Sequence, residues 1–140
     1  MSAGLLRSRR TVLLALAAAC VPLACSRSDQ PIEPVWGKEP CAYCKMLVSD
    51  KRYAAQIATG GERFFFDDLG CMVLWLETHE PPVRFWVHDA AGGGWLDARE
   101  AHYVAGAHTP MDFGFEAHAA DGIGFAAMRD AVIAKKRNTR

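Results

Sequence analysis

The sequence predicts an α+β fold, two small ββαβ-like units packed or hinged together. Three observations point there: two apolar and aromatic runs split by a glycine pair, two stretches with apolar residues at helical spacing, and several short strand-like runs between turn residues. The chain has 140 residues. Once an N-terminal export segment is set aside, about 100 to 115 residues are left to fold, which suits one compact domain or two very small linked units.

Residues 1–24 read as a lipoprotein signal peptide. Arg7, Arg9 and Arg10 form a positive head, an apolar stretch follows from Val12 to Leu23, and Ala24 places a small residue ahead of Cys25. Cys25 is therefore the expected lipidation site, with Cys20 as a competing acceptor, and the polar residues 25–35 form the expected tether. Residues 36–140 form the folded domain, with subunits at roughly 36–90 and 91–140. In the first, residues 53–58 and 62–66 flank Gly60-Gly61 as a hairpin. Asp67 and Asp68 then supply the acids of a helix start, and Leu69, Met72, Val73 and Leu76 recur at i, i+3, i+4 and i+7 until Pro81-Pro82 stops the helix. Residues 83–87 alternate aliphatic and aromatic side chains as a strand, and 89–94 is a small-residue turn. In the second half, 94–96, 102–104 and 113–117 are strand candidates, 106–112 is a loop, and a helix over about 121–136 carries Phe125, Met128 and Val132 as its stripe.

Charge and cysteine count narrow the function. Three of the 16 basic residues, Arg7, Arg9 and Arg10, fall in the signal, which leaves 13 against 16 acidic residues. That balance offers no nucleic-acid footprint. Of five cysteines, Cys20 leaves with the signal and Cys25 takes the lipid. Cys41, Cys44 and Cys71 remain, an odd set that cannot close into disulfides within one chain.

Cys41-Ala42-Tyr43-Cys44-Lys45-Met46 sets two thiols and a thioether within six residues. Thiols at i and i+3 converge across a turn, and an extended run from Cys44 to Met46 would send both side chains to one face. Thiolates alone also suit structural zinc, a thioredoxin-type redox pair or a plain disulfide. The thioether adds a donor that Cu(I) accepts and Zn(II) rarely uses, so a soft ion leads. No second cysteine pair or finger-like histidine pair completes a zinc site, and little parallel βαβ pattern precedes the motif. Cys71 and Met72 read as buried core, the Asp67-Asp68 pair as a helix start, and His79, His88, His102 and His118 as surface or internally satisfied residues. No catalytic triad order, phosphate loop or zinc-protease motif is visible, and the chain is not expected to be an enzyme.

The motif at 41–46, with Asp50-Lys51-Arg52-Tyr53-Ala54-Ala55-Gln56, Phe66-Asp67-Asp68-Leu69-Gly70-Cys71-Met72, residues 95–104 and Thr109-Pro110-Met111-Asp112-Phe113-Gly114, resembles the NosL family, the lipoprotein accessory factors of nitrous-oxide reductase. The resemblance covers almost the whole expected mature chain. It implies a membrane-tethered, Cu(I)-binding protein of the cell envelope that delivers copper for metal-centre assembly in an exported cuproenzyme, nitrous-oxide reductase first. Cys44 and Met46 inherit the strongest ligand role. Cys41 is a helper, and Met111 is a distant sulfur whose other reading is loop packing. The family usually has glycine where Lys45 stands, and this lysine adds a positive charge that would favour thiolate. Expected partners are the recipient cuproenzyme or its assembly transporter, the membrane through the lipid, and a second copy in a homodimer. The rival function is an exported thiol-disulfide oxidoreductase using Cys41 and Cys44.

Overall fold

The computed structural model describes residues 30–82 and 84–139. The expected signal peptide, Cys20, the lipidation site Cys25, Val83 and Arg140 lie outside the described residues. The chain forms two helices, a four-stranded antiparallel sheet and a two-stranded sheet, so the expected α+β class is the class found. Among the described residues, no helix is long and apolar enough to cross a membrane.

β1 (Ala55–Thr59) and β2 (Glu62–Phe66) pair from Ala55↔Phe66 to Thr59↔Glu62. Gly60 and Gly61 make the two-residue turn, with φ of 59° and 80°. Only a residue without Cβ takes two such angles in succession without steric cost, so the glycine pair fixes the register. β1 begins two residues later than the apolar run. Residues Lys51–Tyr53 form a 3₁₀ turn instead, started by Asp50, whose carboxylate accepts from the Arg52 N–H at 3.1 Å.

α1 (Leu69–Leu76) starts behind Asp68, whose side chain accepts from the Gly70 N–H. Of its expected stripe Leu69, Met72 and Val73 are buried and Leu76 half-buried, yet Gly70, Cys71, Leu74 and Trp75 are buried too. The sheet lies against one side of the helix and the later half of the chain against the other, so nearly every face is enclosed. The helix ends well before Pro81. Thr78 Oγ1 and His79 Nδ1 both hydrogen-bond to the Trp75 carbonyl, at 3.2 and 2.7 Å, and the His79 ring stacks on Trp75, so side chains take over the last turn.

β3 (Arg84–His88) runs antiparallel to β1, and β4 (Trp95–Asp97) antiparallel to β3, giving the order β2-β1-β3-β4. The first unit is thus the expected ββαβ with an added edge strand, drawn from residues that the sequence groups with the later half. β5 (His102–Ala105) and β6 (Phe115–His118) form the second sheet, followed by α2 (Phe125–Asn138). Among the described residues no strand follows α2. The helix starts four residues later than its sequence pattern because Asp121 and Gly122 take positive φ, 65° and 147°, and Ile123 pairs with Tyr103 in an isolated bridge. A Cβ on Gly122 would lie 2.6 Å from the Tyr103 carbonyl oxygen.

The halves share one core. Ile57, Phe66, Leu69 and Met72 pack in the same buried cluster as Tyr103, Met128 and Val132. Asp89 bridges Ala117 in parallel, and the Ala90 N–H donates to the Ala117 carbonyl at 2.8 Å, stitching the two sheets. The two halves are therefore packed rather than hinged. The described part of the expected tether is also docked: Ile32 exchanges two hydrogen bonds with buried Gln56, at 3.0 and 2.9 Å, and Arg63 donates to the Gln30 carbonyl at 2.9 Å.

Gly70 is the tightest contact between the halves, since a methyl group there would fall inside the Phe113 side chain. Overpacking of this kind costs about 1–3 kcal/mol, and alanine returns about 1 kcal/mol of helix propensity. Gly70→Ala is expected to lower stability by up to about 2 kcal/mol with an unchanged urea m-value; urea denaturation checks this.

Candidate metal centre

Residues 37–48 fold back on themselves as a small loop. The Gly37 N–H donates to Val48 O, the Val48 N–H to Glu39 O, and Pro40 bridges Leu47. At its tip the Cys41 N–H donates to Met46 O at 2.7 Å and the Lys45 N–H to Cys41 O at 3.1 Å, so Cys41 to Cys44 form a single turn. The Ala42 N–H donates to Phe65 O at 2.8 Å and pins that turn to the end of β2. Two residues later the chain leaves β2 through Asp67 and Asp68 and enters α1, which carries Cys71. Two segments distant in sequence, the 41–44 turn and the entry to α1, thus deliver Cys41, Cys44, Asp67 and Cys71 to one place.

Their ligand atoms all lie within 4.8 Å of one another. Cys41 and Cys71 are fully buried free thiols, Cys44 is half-buried and free, and Asp67 is buried. The Cys44 thiol donates to Asp67 Oδ1 at 3.2 Å. Asp67 Oδ2 is buried with no hydrogen-bond partner among the described residues. A buried, unpartnered carboxylate oxygen beside three sulfurs is a cost that a bound cation would remove.

The cluster concentrates negative charge on one sulfur. Hydrogen bonding from the Cys71 thiol, aided by the backbone N–H groups of Cys44 and Asp67, outweighs burial and pulls Cys41 down to about 4. Donating to Cys41, together with burial, pushes Cys71 well above the thiol range. Burial pushes Cys44 up to about 12, against the Met46 N–H. Burial, and then the neighbouring Cys41 sulfur, raises Asp67 to about 6. The hydrogen bonding thus favours a thiolate at Cys41 over Cys44 and Cys71.

Of the four expected metal ligands, Cys41 and Cys44 lie in this cluster. Met46 sits beside it: its N–H points at the Cys44 sulfur, and its side chain is 49% exposed. The extended run expected from Cys44 to Met46 is not found, because Lys45 takes the left-handed region at φ 70°. That angle explains why a glycine suits the position. Lys45 Nζ donates to the Ala42 carbonyl at 2.7 Å. The Cys41 thiolate is favoured by Cys71 and backbone N–H groups, rather than by the lysine charge. Met111 belongs to another loop, half-buried against the core, whose backbone N–H donates to Asp68 Oδ2 at 2.9 Å.

Asp67 and Cys71 were expected to be a helix-start acid and core packing. Cys71 is buried as expected, Asp67 is buried as well, and both also face the thiols. A signal was present in the sequence. One acid suffices for the cap and Asp68 serves it, which leaves Asp67 without a local task, and Cys71 follows Asp67 at a spacing that brings residues to one face.

No family model matches the sequence, and no curated protein matches it. Among solved structures, the fold is similar to the crystal structure of the copper chaperone NosL from Shewanella denitrificans, with a TM-score of 0.56 over 75% of this chain and 87% of that chain. Sequence identity is 16%. The likeness is therefore one of fold.

Asp68 binds the start of α1 with one carboxylate oxygen and the Met111 loop with the other. Asp68→Ala is expected to cost about 2–4 kcal/mol, from the lost cap and a buried donor left unpaired. Hydrogen exchange at the amides of Gly70 and Met111 should accelerate together; protection of either amide as in the parent protein would refute the shared anchor.

Proposed function

We propose that this chain is an envelope-facing, lipid-anchored carrier of Cu(I) that hands the ion to a recipient cuproenzyme or its assembly transporter, with nitrous-oxide reductase as the leading recipient. The observation that carries this reading is the meeting of three cysteine sulfurs and a carboxylate within 4.8 Å, open at Cys44 and flanked by an exposed thioether at Met46. The fold likeness to a copper chaperone supports it. Cys41 and Cys44 are the first ligands, Met46 the rim ligand, Cys71 and Asp67 the base of the site, and Met111 a further sulfur on the neighbouring loop.

The donor set favours Cu(I) as cargo. Soft sulfur ligands select Cu(I), which is satisfied with few donors, whereas structural zinc takes four in a closed tetrahedron. A low-coordinate ion held at a half-exposed sulfur is open to attack by a donor of the recipient before its old ligands leave. Tight holding then need not mean slow transfer. A lipid on Cys25 would add effective concentration at a membrane-bound recipient.

Anaerobic titration with Cu(I) against a competing chelator tests the site. Wild type should bind one equivalent, and Cys44→Ser and Met46→Leu should each weaken binding by at least about tenfold, or about 1.4 kcal/mol. Unchanged affinity in both variants would defeat the assignment.

The raised Cys44 and Cys71 values also fix a pH dependence. Both are protonated at neutral pH, so every thiolate that forms on binding must release a proton. Affinity should rise with pH by about tenfold per unit for each proton released. Below about pH 6, where Asp67 is protonated too, the slope should steepen if its carboxylate joins the ion. Chelator competition at several pH values measures this; a flat profile would exclude a cysteine other than Cys41 as a thiolate ligand.

A further inference from the structure

Cys41, Cys44 and Cys71 are free thiols with sulfurs within 4.8 Å of one another. They differ in access and in backbone setting. Cys71 lies on α1 and is fully buried, as is Cys41, whereas Cys44 is half-buried at the tip of the loop. Cys41 and Cys44 share one turn closed by the Lys45 N–H to Cys41 O bond. Residues three apart on such a turn have Cβ atoms about 5–6 Å apart. A disulfide needs about 3.5–4.5 Å. A tightening of the 41–46 backbone loop closes that gap, and side-chain rotation then brings the two sulfurs, already within 4.8 Å, to bonding distance. Cys71 has no exposed surface and is out of reach of a partner's disulfide, whereas half-exposed Cys44 can meet one and Cys41 shares its turn.

We propose that Cys41 and Cys44 form a reversible disulfide that switches the site off for Cu(I), through exchange with an exported protein carrying a dithiol/disulfide pair. The inference rests on the reading of the cluster as a Cu(I) site and adds its regulation. In the oxidising direction the accessible Cys44 sulfur attacks the partner's disulfide and passes its proton to Asp67 Oδ1, 3.2 Å away. One partner sulfur leaves and takes that proton from Asp67. The Cys41 thiolate then attacks the Cys44 sulfur of the mixed disulfide, the Cys41–Cys44 bond forms, and the second partner sulfur leaves as a thiolate that takes a proton from water. Two protein sulfurs are oxidised and one partner disulfide is reduced to two thiols. When copper is bound, Cys44 has already lost its proton and attacks as the thiolate; Cu(I) keeps its oxidation state and passes to the reduced thiols released by the exchange, because two of its sulfur donors have gone. The reverse exchange, with the partner's dithiol as reductant, restores the site, and Cys71 stays reduced throughout.

The test uses the full chain isolated anaerobically, with and without one equivalent of Cu(I), in buffers of increasing glutathione disulfide over glutathione. Alkylation, peptide mapping and retained copper are read together. Wild type is expected to lose the reactivity of Cys41 and Cys44, to yield a peptide linked between them, to keep Cys71 alkylatable, and to lose its copper. Cys71→Ser should still form the link, whereas Cys41→Ser should stop at a glutathione adduct on Cys44. Cys41, Cys44 and Cys71 all alkylatable after unfolding across the whole range, a link that includes Cys71, or copper retained on the oxidised protein would each overturn the proposal. Reduced protein that takes up no Cu(I) at the outset would defeat the copper reading itself, and the switch with it. The metal-free alkylation pattern would then separately show whether the disulfide forms.

Discussion

The two carboxylates at the exit of β2 organise the structure around them. Asp68 bonds the first turn of α1 with one oxygen and the Met111 loop with the other, so the start of the buried helix and the loop from the later half are set by one side chain. Asp67, one residue earlier, is thereby turned toward the thiols. The turn carrying Cys41 and Cys44 is then fixed to the same strand end by the bond from Ala42 to Phe65. Each tie is short-range, yet together they align segments separated by tens of residues. Buried polar groups tolerate few alternative arrangements, so a network of this kind specifies geometry even where its net contribution to stability is modest.

The electrostatics follow from that geometry. Three sulfurs and a carboxylate packed this closely cannot all ionise, and the protons are shared so that the sulfur receiving the most hydrogen bonds carries the charge. The soft sulfur donors favour a soft ion, and each further thiolate that joins it must first give up a proton in surroundings where burial opposes the charge.

The hairpin and the start of α1 were legible in the sequence because each is encoded by adjacent residues with one conformational meaning: a glycine pair for the turn, an aspartate for the cap. Cys41 and Cys44 were legible for the same reason. What stayed hidden depends on contacts between distant segments. The end of α1 is set by Thr78 and His79 meeting the Trp75 carbonyl, and the late start of α2 by the bridge from Ile123 to Tyr103. Cys71 enters the site only because β2 delivers the loop to the foot of the helix. Lys45 misled in a different way, since its left-handed backbone turns the chain where alternation would have kept it extended.

The docking of residues 30–36 changes what an anchor at Cys25 would mean mechanically. Gln56 and Arg63 hold Gln30 and Ile32 against the sheet, and Glu33 accepts hydrogen bonds from both Trp36 and Trp95. Were Cys25 to carry a lipid, the span from there to Gln30 could not exceed about 18 Å. Arg63 also lines the cleft beside the Cys41 turn. A domain on so short a leash would sweep a thin layer above the bilayer, meeting recipients whose own docking surface lies within that layer and missing those that stand taller. Reach, rather than affinity, would be the first filter on its partners.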